Sequence, residues 1–137
     1  DYVGQAEITR STSIPTAAGE NQYTRYGFRV MINHRAADIL QPDCLILGGV
    51  TEFMKVCALA QSNDLDIAPH GAQEVHIHLV SAIPNGLILE YYRDTVNPMH
   101  GKIWEDELTI KDGYVYAPDL PGFGLNPKWK DLEPYRV

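Results

Sequence analysis

The sequence predicts an α/β chain, half of a (β/α)8 (TIM-like) barrel, with about four βα units followed by a β-hairpin and a tail. Three observations carry that prediction. Short apolar runs alternate with amphipathic helical stretches at a period of about 25 residues, as barrel units do, whereas a complete barrel takes about 250 residues. Each apolar run has an acid or a histidine beside it, namely Glu20, Asp43, His70 and Glu90, and parallel strands bring such residues to one face. Beyond Tyr92 the pattern changes to a hairpin signal and a loop rich in glycine and proline.

Taken in order, Val3 to Thr12 reads as the end of a helix, punctuated by Ser11-Thr12-Ser13. Ile14 to Ala18 is the first strand, closed by Gly19-Glu20-Asn21. The next helix runs from Gln22 to Ala37, with Phe28, Met31 and Ile32 on one side. Cys44 to Leu47 is the second strand, ending at Gly48-Gly49, and Thr51 is a good N-cap for the helix that carries Phe53, Val56, Cys57 and Ala60 on one stripe. Leu65 to Pro69 is the third strand, and Gln73 to Ile83 the helix after it, with Val75, Leu79 and Ala82 facing inward. Pro84-Asn85-Gly86 breaks that helix, and Leu87 to Leu89 is the fourth strand. Leu108-Thr109-Ile110 and Tyr114-Val115-Tyr116 flank an Asp-Gly turn and predict a hairpin. In the tail, Phe123, Trp129 and Tyr135 are apolar enough to pack on something.

A chain of 137 residues fits one domain and can bury a real core. Its net charge of -7 argues against nucleic acid or an anionic membrane as partner. No apolar run approaches the roughly 18 residues of a membrane span, and no signal pattern opens the chain. Cys44 and Cys57 sit in apolar surroundings and read as core thiols of a reducing, cytoplasmic compartment. The chain begins at Asp1 with no methionine before Met31, which reads as a processed product or a fragment. Half a barrel would leave two open sheet edges and apolar faces, so it should self-associate, as a homo-oligomer or an aggregate.

The densest chemistry lies between Gln41 and Gly71, where Asp43 belongs to one unit and His70 ends the next strand. A carboxylate beside an imidazole fixes the ring's tautomer and orients it as a base. Glu74, just after the His70 loop, and Asn21, beside Glu20, are candidate substrate-binding residues. His76 and His78 stand two apart on a helix and do not share a face, and nothing completes a tetrahedral set with His70, so no zinc site is expected. His34 reads as a surface residue at a helix C-terminus. Gly48-Gly49 lacks the third glycine of a dinucleotide fingerprint and reads as a tight turn.

Several motifs in this order resemble one family: Ala18-Gly19-Glu20-Asn21, Gln41-Pro42-Asp43 with Gly48-Gly49-Val50-Thr51-Glu52, Ala68-Pro69-His70-Gly71, Leu89-Glu90, and the closing Asp119-Leu120-Pro121-Gly122-Phe123-Gly124 with Tyr135-Arg136-Val137. Together they resemble the C-terminal half of the barrel domain in the mandelate racemase/muconate lactonizing enzyme branch of the enolase superfamily. The resemblance implies residues 1–92 as barrel strands five to eight, and 93–137 as a hairpin and tail packing on the barrel or a capping domain. It implies Glu20 as one of three carboxylate ligands to Mg²⁺, the other two lying before residue 1. It implies His70 as the base, Asp43 as its orienting partner, and Glu90 as a hydrogen-bonding group for the substrate carboxylate and the developing enediolate. The expected parent is an enzyme acting on a small acid: a dehydratase making a 2-keto-3-deoxy acid from an acid sugar, or a racemase or epimerase of a 2-hydroxy acid. Without the missing ligands and the capping domain, the chain alone is expected to be inactive. A non-catalytic half-barrel or binding subunit is the third reading.

Overall fold

The computed structural model describes residues 1–97 and 99–137. Helix α1 (Tyr2–Ser11) leads into strand β1 (Ala17–Ala18), helix α2 (Thr24–His34), strand β2 (Ile39–Leu40), a short helix α3 (Cys44–Leu47) and helix α4 (Val50–Gln61). Strand β3 (Asp66–Ile67) and helix α5 (Gln73–Ser81) follow. The C-terminal part holds α6 (His100–Ile103), the strands β4 (Thr109–Lys111) and β5 (Tyr114–Tyr116), and α7 (Trp129–Leu132) running into a 3-10 turn, Glu133–Tyr135. Among the described residues no helix is long and apolar enough to cross a membrane.

The sheet β1-β2-β3 is parallel, with Ala18 opposite Leu40 and Leu40 opposite Ile67. Its short strands carry their apolar side chains into a core with Phe28, Met31, Leu47, Phe53, Val56 and Ala60, all at most 1% exposed. The apolar stripes of α2 and α4 supply most of that core, as their helical spacing requires. Tyr23 gives α2 no side-chain cap. Instead Glu52 reaches across from α4, accepting from the Arg25 N–H at 2.8 Å and from its guanidinium at 2.9 Å through both oxygens. Gly19 allows a close approach after β1: at φ +133° an added Cβ would lie 2.7 Å from the Phe28 ring.

Several expectations are corrected here. Cys44–Leu47 is a helical turn and not a strand, because the Asp43 side chain accepts the Leu45 N–H and caps it. The strand of that unit is the earlier pair Ile39–Leu40. The helix after it starts at Val50 with Gly49 as N-cap, in place of Thr51. Leu87–Leu89 forms no strand: the ladder ends after one parallel bridge, Ile67 to Gly86, and Leu87 and Ile88 are 51% and 64% exposed. Among the described residues no strand pairs with that segment beyond the bridge. Ala82 is exposed and caps α5, while Ile77 takes the inward place. The sheet thus has three strands and a bridge where four strands are expected.

The hairpin forms as expected, Ile110 facing Val115, with Asp112 and Gly113 both at positive φ in a turn that suits the strand twist. The loop after it touches the rest of the fold at Phe123, whose carbonyl accepts from His78 Nε2 at 2.9 Å. Trp129 and Tyr135 are exposed, at 72% and 57%.

Candidate active site

Because the strands run parallel, the residues that follow them collect at one end of the sheet. Glu20 follows β1, Asp43 follows β2, His70 follows β3, and Glu90 follows the Gly86 bridge. The His70 loop is pinned to its neighbour by Ala68 N–H donating to Leu40 O at 3.0 Å and His70 N–H to Pro42 O at 3.3 Å.

Asp43 divides its carboxylate. Oδ1 accepts the Leu45 N–H at 2.8 Å, and Oδ2 lies 3.1 Å from His70 Nδ1. Asp43 is 6% exposed, and the His70 side chain 30%. An ionised carboxylate can only accept, so His70 carries its proton on Nδ1 and keeps a bare Nε2. Glu90 Oε2 accepts the Gly71 N–H at 2.7 Å, tying the fourth segment to the His70 loop. Tyr92 sets its ring edge-on to His70, with centroids 6.4 Å apart. Its hydroxyl is pushed up by burial, by a hydrogen bond to Glu90 and by the charges of Glu90, Glu20 and Asp43, so all three acids are within electrostatic reach of one ring.

Glu20 is exposed, and among the described residues its hydrogen-bond partner is the Asn21 amide, at 3.3 Å. An accessible carboxylate oxygen at this end of the sheet is a hard donor suited to Mg²⁺, as one ligand of a set. Asn21 is exposed beside it. Glu74 is 5% exposed on α5, and its charge reaches Tyr91. The structure therefore joins Asp43, His70 and Glu90 through the His70 loop beside Tyr92, with Glu20 following β1 at the same end of the sheet, and it buries Glu74.

Two residues to which the sequence reading gives no part in the site hold this arrangement. Gln73, 1% exposed, donates from Nε2 to Tyr92 O at 3.0 Å and accepts from Tyr92 N–H at 2.9 Å through Oε1. His76, fully buried, donates from Nδ1 to Gly71 O at 2.7 Å and accepts the Cys44 N–H at Nε2, at 3.0 Å. The signal for both is a polar residue inside the apolar stripe of an amphipathic helix, Gln73, His76 and Ile77 at i, i+3 and i+4. Among the described residues, Asp43, Cys44 and His76 bring ligand atoms within 4.8 Å of one another. They do not suit a metal, since the His76 lone pair is already taken, and burial and Asp43 push the Cys44 thiol up to about 11.

A family model described as enolase C-terminal domain-like matches residues 1–131. The chain is similar to L-rhamnonate dehydratase of Saccharopolyspora erythraea, 36% identical over 98% of this chain and 37% of that protein. It is similar to D-xylonate dehydratase of Haloferax volcanii, 33% identical over 97% of this chain and 33% of that protein. Among solved structures, L-talarate dehydratase from Polaromonas sp. JS666, complexed with Mg and L-glucarate, superposes with a TM-score of 0.84 at 33% identity, over 96% of this chain and 35% of that one. The chain spans about a third of the length of the curated relatives it matches.

Proposed function

The chain belongs to the enolase C-terminal domain-like family, in the mandelate racemase branch of the enolase superfamily, and on that premise we propose that it is part of a Mg²⁺-dependent acid-sugar dehydratase. The observation that carries the reading is the 3.1 Å contact of His70 Nδ1 with Asp43 Oδ2 at the carboxyl ends of adjacent parallel strands. The similarity to rhamnonate and xylonate dehydratases supports dehydration as the reaction. In this reading residues 1–92 belong to the second half of a (β/α)8 barrel, and 93–137 pack on the barrel or a capping domain.

The substrate is a sugar acid with hydrogen on C2 and hydroxyl on C3. His70 Nε2, the ring nitrogen that Asp43 leaves bare on a side chain 30% exposed, takes the C2 proton. Asp43 holds the Nδ1 proton and stabilises the imidazolium that forms. Negative charge then builds on the substrate carboxylate, to which Glu90 in its protonated form donates a hydrogen bond through the oxygen that the Gly71 N–H does not hold. The C3 hydroxyl leaves as water, accepting a proton that His70 is placed to return, and the enol tautomerises to a 2-keto-3-deoxy acid. Glu20, together with carboxylates from outside this chain, would hold Mg²⁺, which when bound would supply Lewis-acid stabilisation of the developing charge. Tyr92 walls one side of His70 and restricts water. Since Glu20 is one ligand of the expected three, the 137 residues alone are inactive in this reading.

The test is turnover of an acid-sugar library by the full-length parent, with Mg²⁺ and with chelator, reading 2-keto acid formation. Metal-dependent 2-keto-3-deoxy acid supports the proposal. Inversion at C2 without loss of water replaces it with the racemase reading. No reaction from a folded, Mg²⁺-loaded parent overturns both and leaves a non-catalytic binding subunit.

A further inference from the structure

We propose that His76 is a positioning residue for the His70–Asp43 pair, a neutral buried strut that sets the separation of the two loops carrying base and carboxylate. The inference rests on the reading of His70 as the base. His76 touches neither a reacting atom nor solvent. Its Nδ1 bonds the carbonyl of Gly71, the residue after His70, at 2.7 Å. Its Nε2 bonds the N–H of Cys44, the residue after Asp43, at 3.0 Å. One rigid ring therefore spans the two loops, each contact landing one residue beyond a member of the pair.

The chemistry of the partners fixes the ring's state. A backbone carbonyl only accepts and a backbone N–H only donates, so the proton must sit on Nδ1 and the lone pair on Nε2. Both sites are occupied by groups that burial would otherwise leave unpaired, which makes either bond costly to lose. The Phe53 ring lies against the imidazole, centroids 5.5 Å apart with 28° between planes, and blocks its rotation. The backbone bond between the same loops, from His70 N–H to Pro42 O, is longer at 3.3 Å.

The strut also governs how Asp43 is used. His76 Nε2 stands 3.8 Å from Asp43 Oδ1. That nitrogen is a lone pair and offers Asp43 no proton, while Oδ1 is engaged by the Leu45 N–H. Among the described residues Oδ2 is thereby left to His70. The charged and titratable groups that act on His76 are Asp43, His70 and Glu90, all within the site described above. A displacement of about 1 Å between the loops is enough to matter, because catalytic geometry is that sensitive.

The test uses the full-length parent with three variants. His76→Phe keeps volume and stacking but removes both bonds, His76→Asn keeps the donor to Gly71, and His76→Gln keeps the acceptor for Cys44. Imidazole ¹⁵N NMR reads the tautomer of His70, whose signals are identified by their loss in His70→Asn, and kcat and KM are measured separately. The expected result is a single Nδ1–H tautomer of His70 in the wild type and a mixture in His76→Phe. With it, kcat falls about 10- to 100-fold and KM changes less than about twofold. His76→Asn and His76→Gln should fall between, and they carry the test if His76→Phe does not fold. A single Nδ1–H tautomer retained in the folded variants, or a kcat within about twofold of wild type, overturns the proposal. Should the parent turn over no acid sugar, the reaction reading fails, and the tautomer of His70 alone decides the strut.

Discussion

The Gly71 N–H donates to Glu90 Oε2 at 2.7 Å, so the residue that follows the proposed base is anchored to the acid of the neighbouring segment. Gly71 is buried, and without that acceptor its N–H is unpaired. Glu90→Ala should therefore destabilise the fold by roughly 1.5–3 kcal/mol, the range for a hydrogen bond to a charged group. Glu90→Gln, which keeps an acceptor oxygen, should cost less. Urea midpoints compare the two, and equal losses would show that the bond contributes nothing specific.

His70→Asn should abolish turnover in the full-length parent while leaving Mg²⁺ affinity nearly unchanged, since the role proposed for the imidazole is that of base and not of ligand. Kinetics and metal titration on the same preparation check this. Turnover near the wild-type level would remove His70 from the role.

Glu20→Gln makes the opposite prediction. The exposed carboxylate after β1 loses its charge, so Mg²⁺ binding should weaken by tenfold or more, an estimate on the order of 1.4 kcal/mol for one hard anionic ligand. Calorimetric titration with Mg²⁺ reads it. An unchanged affinity would show that Glu20 is not a ligand.

Gln73→Leu should loosen the Tyr92 segment, because the amide pairs with both backbone groups of Tyr92 and leucine pairs with neither. Each group left without a partner costs about 1–3 kcal/mol if it stays buried. Hydrogen exchange at the Tyr92 amide should accelerate in the variant, and protection equal to wild type would contradict the clamp.

Burial holds His76 below its ordinary value of 6.5, with the Gly71 bond and Asp43 acting in the other direction. The unfolded chain takes up this proton near 6.5 while the folded one does not, so the unfolded state binds more protons below that pH. The stability attached to a neutral His76 is complete above 6.5 and is lost as pH falls from there toward the lower folded value. Urea midpoints of wild type and His76→Phe, followed from about pH 8 to about pH 5, should converge as the pH drops. A constant gap between them would refute the assignment.

Asp43 and His70 could be named in advance as a carboxylate and an imidazole on successive βα units, but they meet because Asp43 follows β2 and His70 follows β3, and parallel strands deliver such ends to one place. The exact strand of the Asp43 unit could not. Cys44-Leu45-Ile46-Leu47 is an apolar run short enough to be a strand or a helical turn, and the choice depends on the Asp43 side chain folding back onto Leu45 N–H. The fourth run failed for a related reason. Leu87 to Leu89 has strand composition, but the pairing stops at the bridge of Gly86 with Ile67, closed by the bonds from Ile67 N–H to Asn85 O and from Leu87 N–H to Ile67 O.

What the chain's own sequence determined is local: the alternation of units, the apolar stripes of α2 and α4, the hairpin turn at Asp112-Gly113, and the acids and histidine at the unit ends. Periodicity and turn chemistry act between residues a few positions apart, and that is why they are legible. What only the tertiary structure decided is which of these groups are held rigid. Gln73 clamps Tyr92, and His76 joins Cys44 to Gly71 from a position 32 residues beyond Cys44. Those bonds form because α5 packs its polar residues against loops that the sheet has already brought together. Burial then makes each hydrogen bond obligatory.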